Sequence, residues 1–299
     1  MGARISIRLV GCALAAALAA CGATSAVGAP VAQATADLPW RDQILAVVRP
    51  LADRRLSAND APASPFLALG LDALARATGD ARYETAATVA GRAVQTPARI
   101  DWDALCAGDA CRADDLLDAP TLWAGPGDSE AARTGILALD PPFRRMAQVL
   151  FDREALMFHT DTGTVTRSPL DAHLNATAFA ALTRMIDTLP AEDPARLEYV
   201  ALYREMARPI VRSQGAEGWW RETLGDETAP VDRSASALYV YGLTWGLNTG
   251  MLSFNEGEAA ALRGWDALRS TEGLAALQAD DESMGALLLA SAQLAERRW

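Results

Sequence analysis

The stretch SPFLALGLDALARATGD, residues 64–80, decides the fold of this chain. Ser64 and Pro65 are typical of a helix start, because serine caps the first free N–H groups and proline fits the first turn. Apolar residues then recur at helical spacing until Gly79 ends the run. A second helical stretch, predicted at 81–95, begins at once. The sequence therefore predicts a helical hairpin.

Similar amphipathic stretches fill most of the remaining chain, separated by Gly, Pro and Asp residues. They are predicted at 41–56, 114–124, 140–157, 173–189, 194–213, 233–250, 255–270 and 280–298. Only 163–166 is typical of a strand. The sequence shows no repeat of fixed period. These patterns predict an all-α domain, with helical hairpins arranged in a ring or a superhelix.

The composition excludes several classes of function. The chain has 299 residues, 27 basic against 38 acidic, and a net charge of −11. Every basic residue is Arg, so Schiff-base chemistry and a phosphate loop ending in Lys are excluded. With His159 and His173 as the only histidines, a metal centre with many His ligands is excluded too. The acidic balance argues against a nucleic-acid partner.

The first 21 residues are predicted to be an export signal. Arg4 and Arg8 precede an apolar run of about 12 residues, which is too short to span a bilayer. The run ends in Leu-Ala-Ala-Cys21, the pattern at which bacterial lipoproteins are cut and acylated. A secretory peptide cut at 34–36 is the alternative. We expect a lipid-anchored protein of the cell envelope, on the outer membrane and facing the periplasm.

The mature chain divides into a tether and one domain. Residues 22–38 are predicted to be flexible, and 39–299 to form a single helical domain. Export implies an oxidising compartment, in which Cys106 and Cys111 are predicted to form a short-loop disulfide. A metal or thiol site is the alternative, but it lacks further Cys ligands in the domain.

Two segments carry carboxylates of interest. The first is Asp114-Asp115-Leu-Leu-Asp118, for which helix capping is the simplest interpretation. It also matches the DDxxD pattern of enzymes that bind magnesium diphosphate, although their second metal motif is not visible. The second segment places Asp161 beside Phe158 and His159. Asp161 is a turn residue on one interpretation and, on the other, a general acid whose neutral form is favoured by aromatic surroundings.

A third segment combines Trp219, Trp220 and Arg221. Flat indole rings can stack on sugars and Arg221 can hold a carboxylate through two contacts, while packing of a Trp into the core is the alternative. The following helix begins with Asp232 as its cap and Arg233 in its first turn. Its small residues indicate close packing between helices.

Taken in order, these segments resemble the unsaturated uronyl hydrolases of glycoside hydrolase families 88 and 105. The resemblance is most specific at Gly-Trp-Trp-Arg-Glu-Thr-Leu (218–224), Asp-Arg-Ser-Ala-Ser-Ala (232–237) and Tyr-Gly-Leu-Thr-Trp-Gly (241–246). It continues in the run from Leu150 to Asp161 and in the Asp-x-Leu-x-x-Ala-Pro segment at 114–120. It covers residues 64–298.

The resemblance implies an (α/α)6 toroid that acts on oligosaccharides ending in a 4,5-unsaturated uronic acid. The implied reaction is hydration of the C4=C5 bond, which needs no metal or other cofactor. By position, Asp161 takes the acid/base role and Asp114 that of the second carboxylate. The candidate substrate-binding residues are Asp115, His159, His173, Asn175, Trp219, Trp220, Arg221 and Arg233.

The chain also departs from the family. Where the family has Trp-x-Arg-Gly-Asn-Gly-Trp, residues 171–177 read Asp-Ala-His-Leu-Asn-Ala-Thr, so that His173 replaces Arg and only Asn175 is retained. The chain is shorter by one hairpin before Asp114, which leaves Asp115 as an alternative second carboxylate. A catalytically inactive relative that binds an oligosaccharide or a partner at the cell envelope is therefore the alternative function.

Overall fold

A computed structural model describes residues 38–58, 64–94, 111–117, 130–163 and 169–298. The helices are α1 (Trp40–Leu56), α2 (Pro65–Thr78), α3 (Ala81–Val94), α4 (Ala113–Leu117), α5 (Glu130–Ala138), α6 (Asp140–Leu150), α7 (Ala172–Thr188), α8 (Pro194–Arg212), α9 (Arg233–Thr249), α10 (Phe254–Leu268), α11 (Thr271–Leu277) and α12 (Asp281–Ala295). Two antiparallel ribbons pair β1 (Phe151–Asp152) with β2 (Met157–Phe158) and β3 (Trp220–Arg221) with β4 (Val231–Asp232). The all-α prediction is confirmed. Within these ranges, every helix is too short or too polar to cross a bilayer.

Local signals in the sequence set the helix ends. Pro65 occupies the first turn of α2, and Gly79 ends that helix in a left-handed conformation with φ of 71°. The side chains of Asp171, Asp232 and Asp280 each accept a backbone N–H group, at the starts of α7, α9 and α12 respectively. The amino ends of these helices are therefore well defined and rich in carboxylates.

Helices α2 and α12 pack side by side and run in the same direction. A methyl group built on Gly285 of α12 would lie 2.2 Å from the carbonyl carbon of Phe66, and one on Gly70 would lie 2.8 Å from Cβ of Leu288. Both glycines therefore permit an approach between the two backbones that any side chain would prevent. The contacts progress together along both helices, which makes the helices parallel.

Helices α9 and α7 are parallel as well. The Tyr239 hydroxyl donates to the carbonyl of Ala172 at the start of α7, and the Trp245 indole donates to Asp187 near its end. Since α9 packs against both α7 and α12, the four helices α2, α12, α9 and α7 form a continuous inner layer. Helices α3, α8 and α10 pack outside α2, α7 and α9. We call the end at which the inner helices begin the amino-end mouth.

The predicted helix at 140–157 was wrong after Leu150. Asp152 accepts the N–H groups of Glu154 and Ala155 at 2.7 and 3.0 Å, and Leu156 has a positive φ of 59°. Both features form a turn that a helix cannot include, so the chain reverses into the β1–β2 ribbon.

Other boundaries differ from the predictions in smaller ways. Helix α5 was not predicted, and the stretch predicted at 255–270 ends at Leu268, followed by the separate short helix α11. Of the helix predicted at 114–124, the part after residue 117 lies outside the described residues. The strand predicted at 163–166 also lies there, except for Gly163, which is in a turn.

Candidate functional site at the amino-end mouth

The predicted catalytic carboxylates lie on two adjacent backbone segments. Arg112 and Asp161 form an antiparallel bridge. It is flanked by hydrogen bonds from the Ala113 N–H to the Thr160 carbonyl at 2.9 Å and from the Thr162 N–H to the Cys111 carbonyl at 3.2 Å. Asp114 follows two residues after the bridge. The structure therefore brings Asp114 and Asp161 to the same edge of the fold, although 47 positions separate them in the sequence.

Both carboxylates are half-buried. One oxygen of Asp161 accepts the Gly163 N–H at 2.8 Å, which fixes the turn that follows. Asp114 lies 3.9 Å from the guanidinium of Arg112, so a positive charge stands next to this carboxylate. The side chain of Asp115 lies outside the described part of the chain, and its proposed role stays a prediction.

Asn175 holds the segment that leads to Asp161. Its Oδ1 accepts the Phe158 N–H at 2.8 Å, and its Nδ2 donates to the carbonyls of Phe158 and Asp171 at 3.1 and 2.8 Å. The side chain is fully buried. Asn175 therefore cannot contact a ligand as predicted, because both of its polar atoms are occupied by backbone. It attaches β2 to the first turn of α7 instead.

His159 lies in the interior between β2 and Asp161. It is buried, and its Nε2 lies 3.2 Å from Oδ2 of Asp152. Two backbone N–H groups, from Ala155 and Glu154, lower the pKa of Asp152 and keep it ionised. The Nδ1 atom of His159 has no hydrogen-bond partner within the described residues. The Asp152 carboxylate therefore orients the imidazole of His159, which lies two residues before Asp161.

His173 is the central cation of the mouth. It lies in the first turn of α7, with Nε2 3.1 Å from Glu282 at the start of α12 and Nδ1 3.9 Å from Asp232 at the start of α9. The hydrogen bond with Glu282, together with the charges of Asp232 and Asp171, raises its pKa to about 9. His173 therefore carries a positive charge at neutral pH, while 41% of its side chain stays exposed.

The two tryptophans of the third segment have different environments. Trp220 is fully buried and its indole donates to the Ile210 carbonyl at 2.7 Å. The predicted contact of Trp220 with substrate is therefore wrong, since its ring closes the core between α8 and α9. Trp219 is half-buried, and the guanidinium of Arg233 lies 5.7 Å from its ring centre. Trp219 and Arg233 thus remain together at the mouth.

The two arginines of this region are engaged within the protein. Arg221 pairs with Glu217 and donates to the Ala229 carbonyl at 3.1 Å, so it stabilises the loop between β3 and β4. Arg233 pairs with Glu272 of α11. To bind an acidic ligand, either guanidinium would have to exchange its protein carboxylate for the carboxylate of the ligand.

Sequence reasoning missed Glu282 and Glu272 as members of this region. Both lie in the first turn of their helices, where an acidic residue has an ordinary role beside the helix dipole. Their distance in sequence from His173 and Arg233 gave no signal of contact. Asp232 was predicted as a cap, which is confirmed by its bond with the Ala235 N–H at 2.8 Å, but its proximity to His173 was not predicted.

Comparison with known proteins shows which family this chain resembles. Residues 141–286 match the family model of Glycosyl Hydrolase Family 88. The chain is 26% identical over 166 residues to the unsaturated 3S-rhamnoglycuronyl hydrolase of Alteromonas sp. (strain LOR), covering 53% of this chain and 40% of that protein. It is 30% identical over 133 residues to the protein of the same name from Formosa agariphila, covering 40% and 35%. The chain thus spans well under half the length of these curated relatives.

A solved structure shares the fold over most of the chain. A glycosyl hydrolase family 88 protein from Bacteroides vulgatus superposes with a TM-score of 0.69, at 18% identity, over 86% of this chain and 99% of that one. The α/α toroid predicted from the sequence is confirmed, and so is the resemblance to the unsaturated uronyl hydrolases. The matched segment contains Asp161, His173 and Asp232, whereas Asp114 precedes it.

Proposed function

We propose that this chain is a glycoside hydrolase that hydrates the C4=C5 bond of unsaturated uronyl oligosaccharides produced by polysaccharide lyases. The observation that carries the proposal is the placement of Asp161 and Asp114 on bridged segments, with the segment before Asp161 attached by Asn175 to the first turn of α7. It is supported by the family match over 141–286 and by the names of the curated relatives.

The proposed reaction uses the carboxylates in different roles. Asp161, in its protonated form, delivers a proton to C4 of the sugar, and its conjugate base takes a proton from the water that adds to C5. The resulting hemiketal opens and the glycosidic bond is lost, so the aglycone leaves with a free hydroxyl. Asp114, with the guanidinium of Arg112 3.9 Å away, supplies the second carboxylate on the neighbouring segment. The mouth also has cations suited to an acidic sugar, in His173 and Arg233.

The experiment is a survey of substrates. Purified protein is mixed with lyase-generated unsaturated disaccharides from pectic, glycosaminoglycan and ulvan-type polymers, and the ultraviolet absorbance of the C4=C5 bond is followed. Loss of absorbance with at least one member supports the hydrolase and names the substrate class. If a folded protein leaves the whole panel unchanged, the inactive relative that binds oligosaccharide becomes the better description.

We also propose that the mature protein is a lipoprotein of the cell envelope, acylated at Cys21, and that Cys106 and Cys111 form a disulfide. Cys21 and Cys106 lie outside the described residues, and Cys111 is buried. Support comes from the sequence pattern at 18–21 and from the oxidising compartment that export implies. Fractionation of expressing cells tests the anchor, because Cys21→Ser should move the protein from the membrane to the soluble fraction.

A further inference from the structure

The ion pair between His173 and Glu282 spans the amino-end mouth. His173 belongs to α7 and Glu282 to α12, and α9 packs between these two helices. The imidazole passes near the first turn of α9, since Nδ1 lies 3.9 Å from the Asp232 carboxylate. The pair therefore bridges non-consecutive inner helices across the surface where a ligand would approach.

The three carboxylates around His173 are held differently. Asp171 accepts the Leu174 N–H at 2.7 Å and Asp232 accepts the Ala235 N–H at 2.8 Å, so both are fixed as helix caps. Within the described residues, the ion pair of the Glu282 carboxylate is with His173, at 3.1 Å, and the carboxylate caps no helix. Its side chain is 44% exposed. Glu282 is thus the one carboxylate of the three that can turn away without uncapping a helix.

The surroundings favour an anion in the place of Glu282. The amino ends of α7, α9 and α12 point their positive dipole ends toward the mouth, where Asp171, Asp232 and Asp280 each already accept one backbone N–H group. His173 is positively charged at neutral pH, and a carboxylate already lies against it. The other cation of this surface, Arg233, is paired with Glu272 and stacked on Trp219. A sugar carboxylate can therefore take over the bond of Glu282 with little change elsewhere.

We propose that Glu282 is an internal competitor for His173, which the carboxylate of an acidic sugar displaces on binding. Glu282 then restricts the mouth to ligands whose own carboxylate replaces it, and a neutral sugar cannot break the ion pair. His173 acts as the specificity-determining cation. This inference rests on the proposed function for the identity of the ligand, but it concerns recognition rather than catalysis.

Two substitutions separate competition from a structural ion pair, because they act in opposite directions. Binding of methyl β-glucuronide, a saturated uronic acid that cannot be hydrated, is measured by titration calorimetry, with methyl β-glucoside as the neutral comparison. We expect His173→Gln to weaken glucuronide binding by about tenfold, the effect of losing one charge-assisted hydrogen bond. We expect Glu282→Gln to strengthen it severalfold and to leave glucoside binding unchanged.

A matched control is Glu258→Gln, which removes a partly exposed carboxylate from its ion pair with Arg297 on the outer layer and should leave glucuronide binding unchanged. If Glu282→Gln weakens binding as His173→Gln does, or if neither changes it, the competitor role is refuted. The same holds if all variants fail to bind glucuronide.

The absorbance assay keeps the two proposals apart. If both variants turn over the substrate but with a raised KM, the competitor role alone is refuted. Tighter glucuronide binding by Glu282→Gln without turnover would refute the hydrolase alone.

Discussion

Replacement of Asn175 by alanine should destabilise the fold more than any comparable change in the same helix. The side chain makes three hydrogen bonds of 2.8–3.1 Å with the backbone of Phe158 and Asp171, and it is fully buried. At about 0.5–1.5 kcal/mol for each bond, with about 1–3 kcal/mol more for a buried N–H left unpaired, we expect the free energy of unfolding to fall by about 2.5–7.5 kcal/mol. Stabilities of domains are themselves only about 5–15 kcal/mol.

Urea unfolding followed by far-ultraviolet circular dichroism measures this loss. Thr177→Ala is the matched control, because Thr177 is equally buried in α7 but its hydroxyl bonds only the His173 carbonyl within the same helix, at 2.9 Å. For this control we expect the free energy of unfolding to fall by less than about 1.5 kcal/mol. If Asn175→Ala is no more destabilising than Thr177→Ala, the buried amide does not attach β2 to α7, and the reasoning about the Asp161 segment fails.

Three further predictions concern other parts of the ring. Gly285→Ala should lower the free energy of unfolding by about 1–3 kcal/mol, because its methyl group would meet the backbone of α2. The methyl group of Gly257→Ala would meet only side-chain carbons of Leu252, Leu243 and Leu247 at ordinary contact distances of 3.5–3.9 Å, so this change should raise the free energy of unfolding by up to about 1 kcal/mol. Equal effects would contradict this packing. Trp220→Ala should lose about 3–5 kcal/mol of stability, whereas Trp219→Ala should affect sugar binding more than unfolding. The ion pair of His173 should stabilise the protein fully below pH 6.5, the ordinary pKa of histidine, and this stabilisation should disappear as the pH rises through about 9, the pKa of His173 in the folded protein. A difference in Tm between wild type and His173→Gln that stays constant over this pH range would contradict this prediction.

Helical periodicity and end signals predicted most of the described fold. The predicted helix start at Ser64–Pro65 and the predicted cap of α9 at Asp232 are local features, in which a few neighbouring residues determine the backbone, although the Ser64 side chain itself makes no capping hydrogen bond. Helical periodicity gave a wrong prediction after Leu150, because Phe151 and Met157 continue the apolar pattern. The turn at Asp152 and the positive φ of Leu156 override that pattern, and neither has a clear signature in sequence.

The candidate site was predictable only where a motif carried it. Asp161 and His173 were proposed from segments similar to a known family and stay predictions, whereas the packing of Asn175 and Trp220 depends on which neighbours the fold supplies. An amide in the first turn of a helix and an indole on a loop can each face a ligand or the core. Glu282 was missed for the same reason, since its contact with His173 joins residues more than a hundred positions apart.

The absorbance assay with Asp161→Asn tests the proposed hydrolase most directly. Asp226→Asn is the matched control, because Asp226 also accepts a turn N–H at 2.8 Å, from Thr228, but is exposed on the loop between β3 and β4. We expect wild type and Asp226→Asn to remove the C4=C5 absorbance of the preferred disaccharide, and Asp161→Asn to remain folded but fail to do so. Turnover by Asp161→Asn at the wild-type rate would contradict the assignment of Asp161 as the acid and base of the reaction.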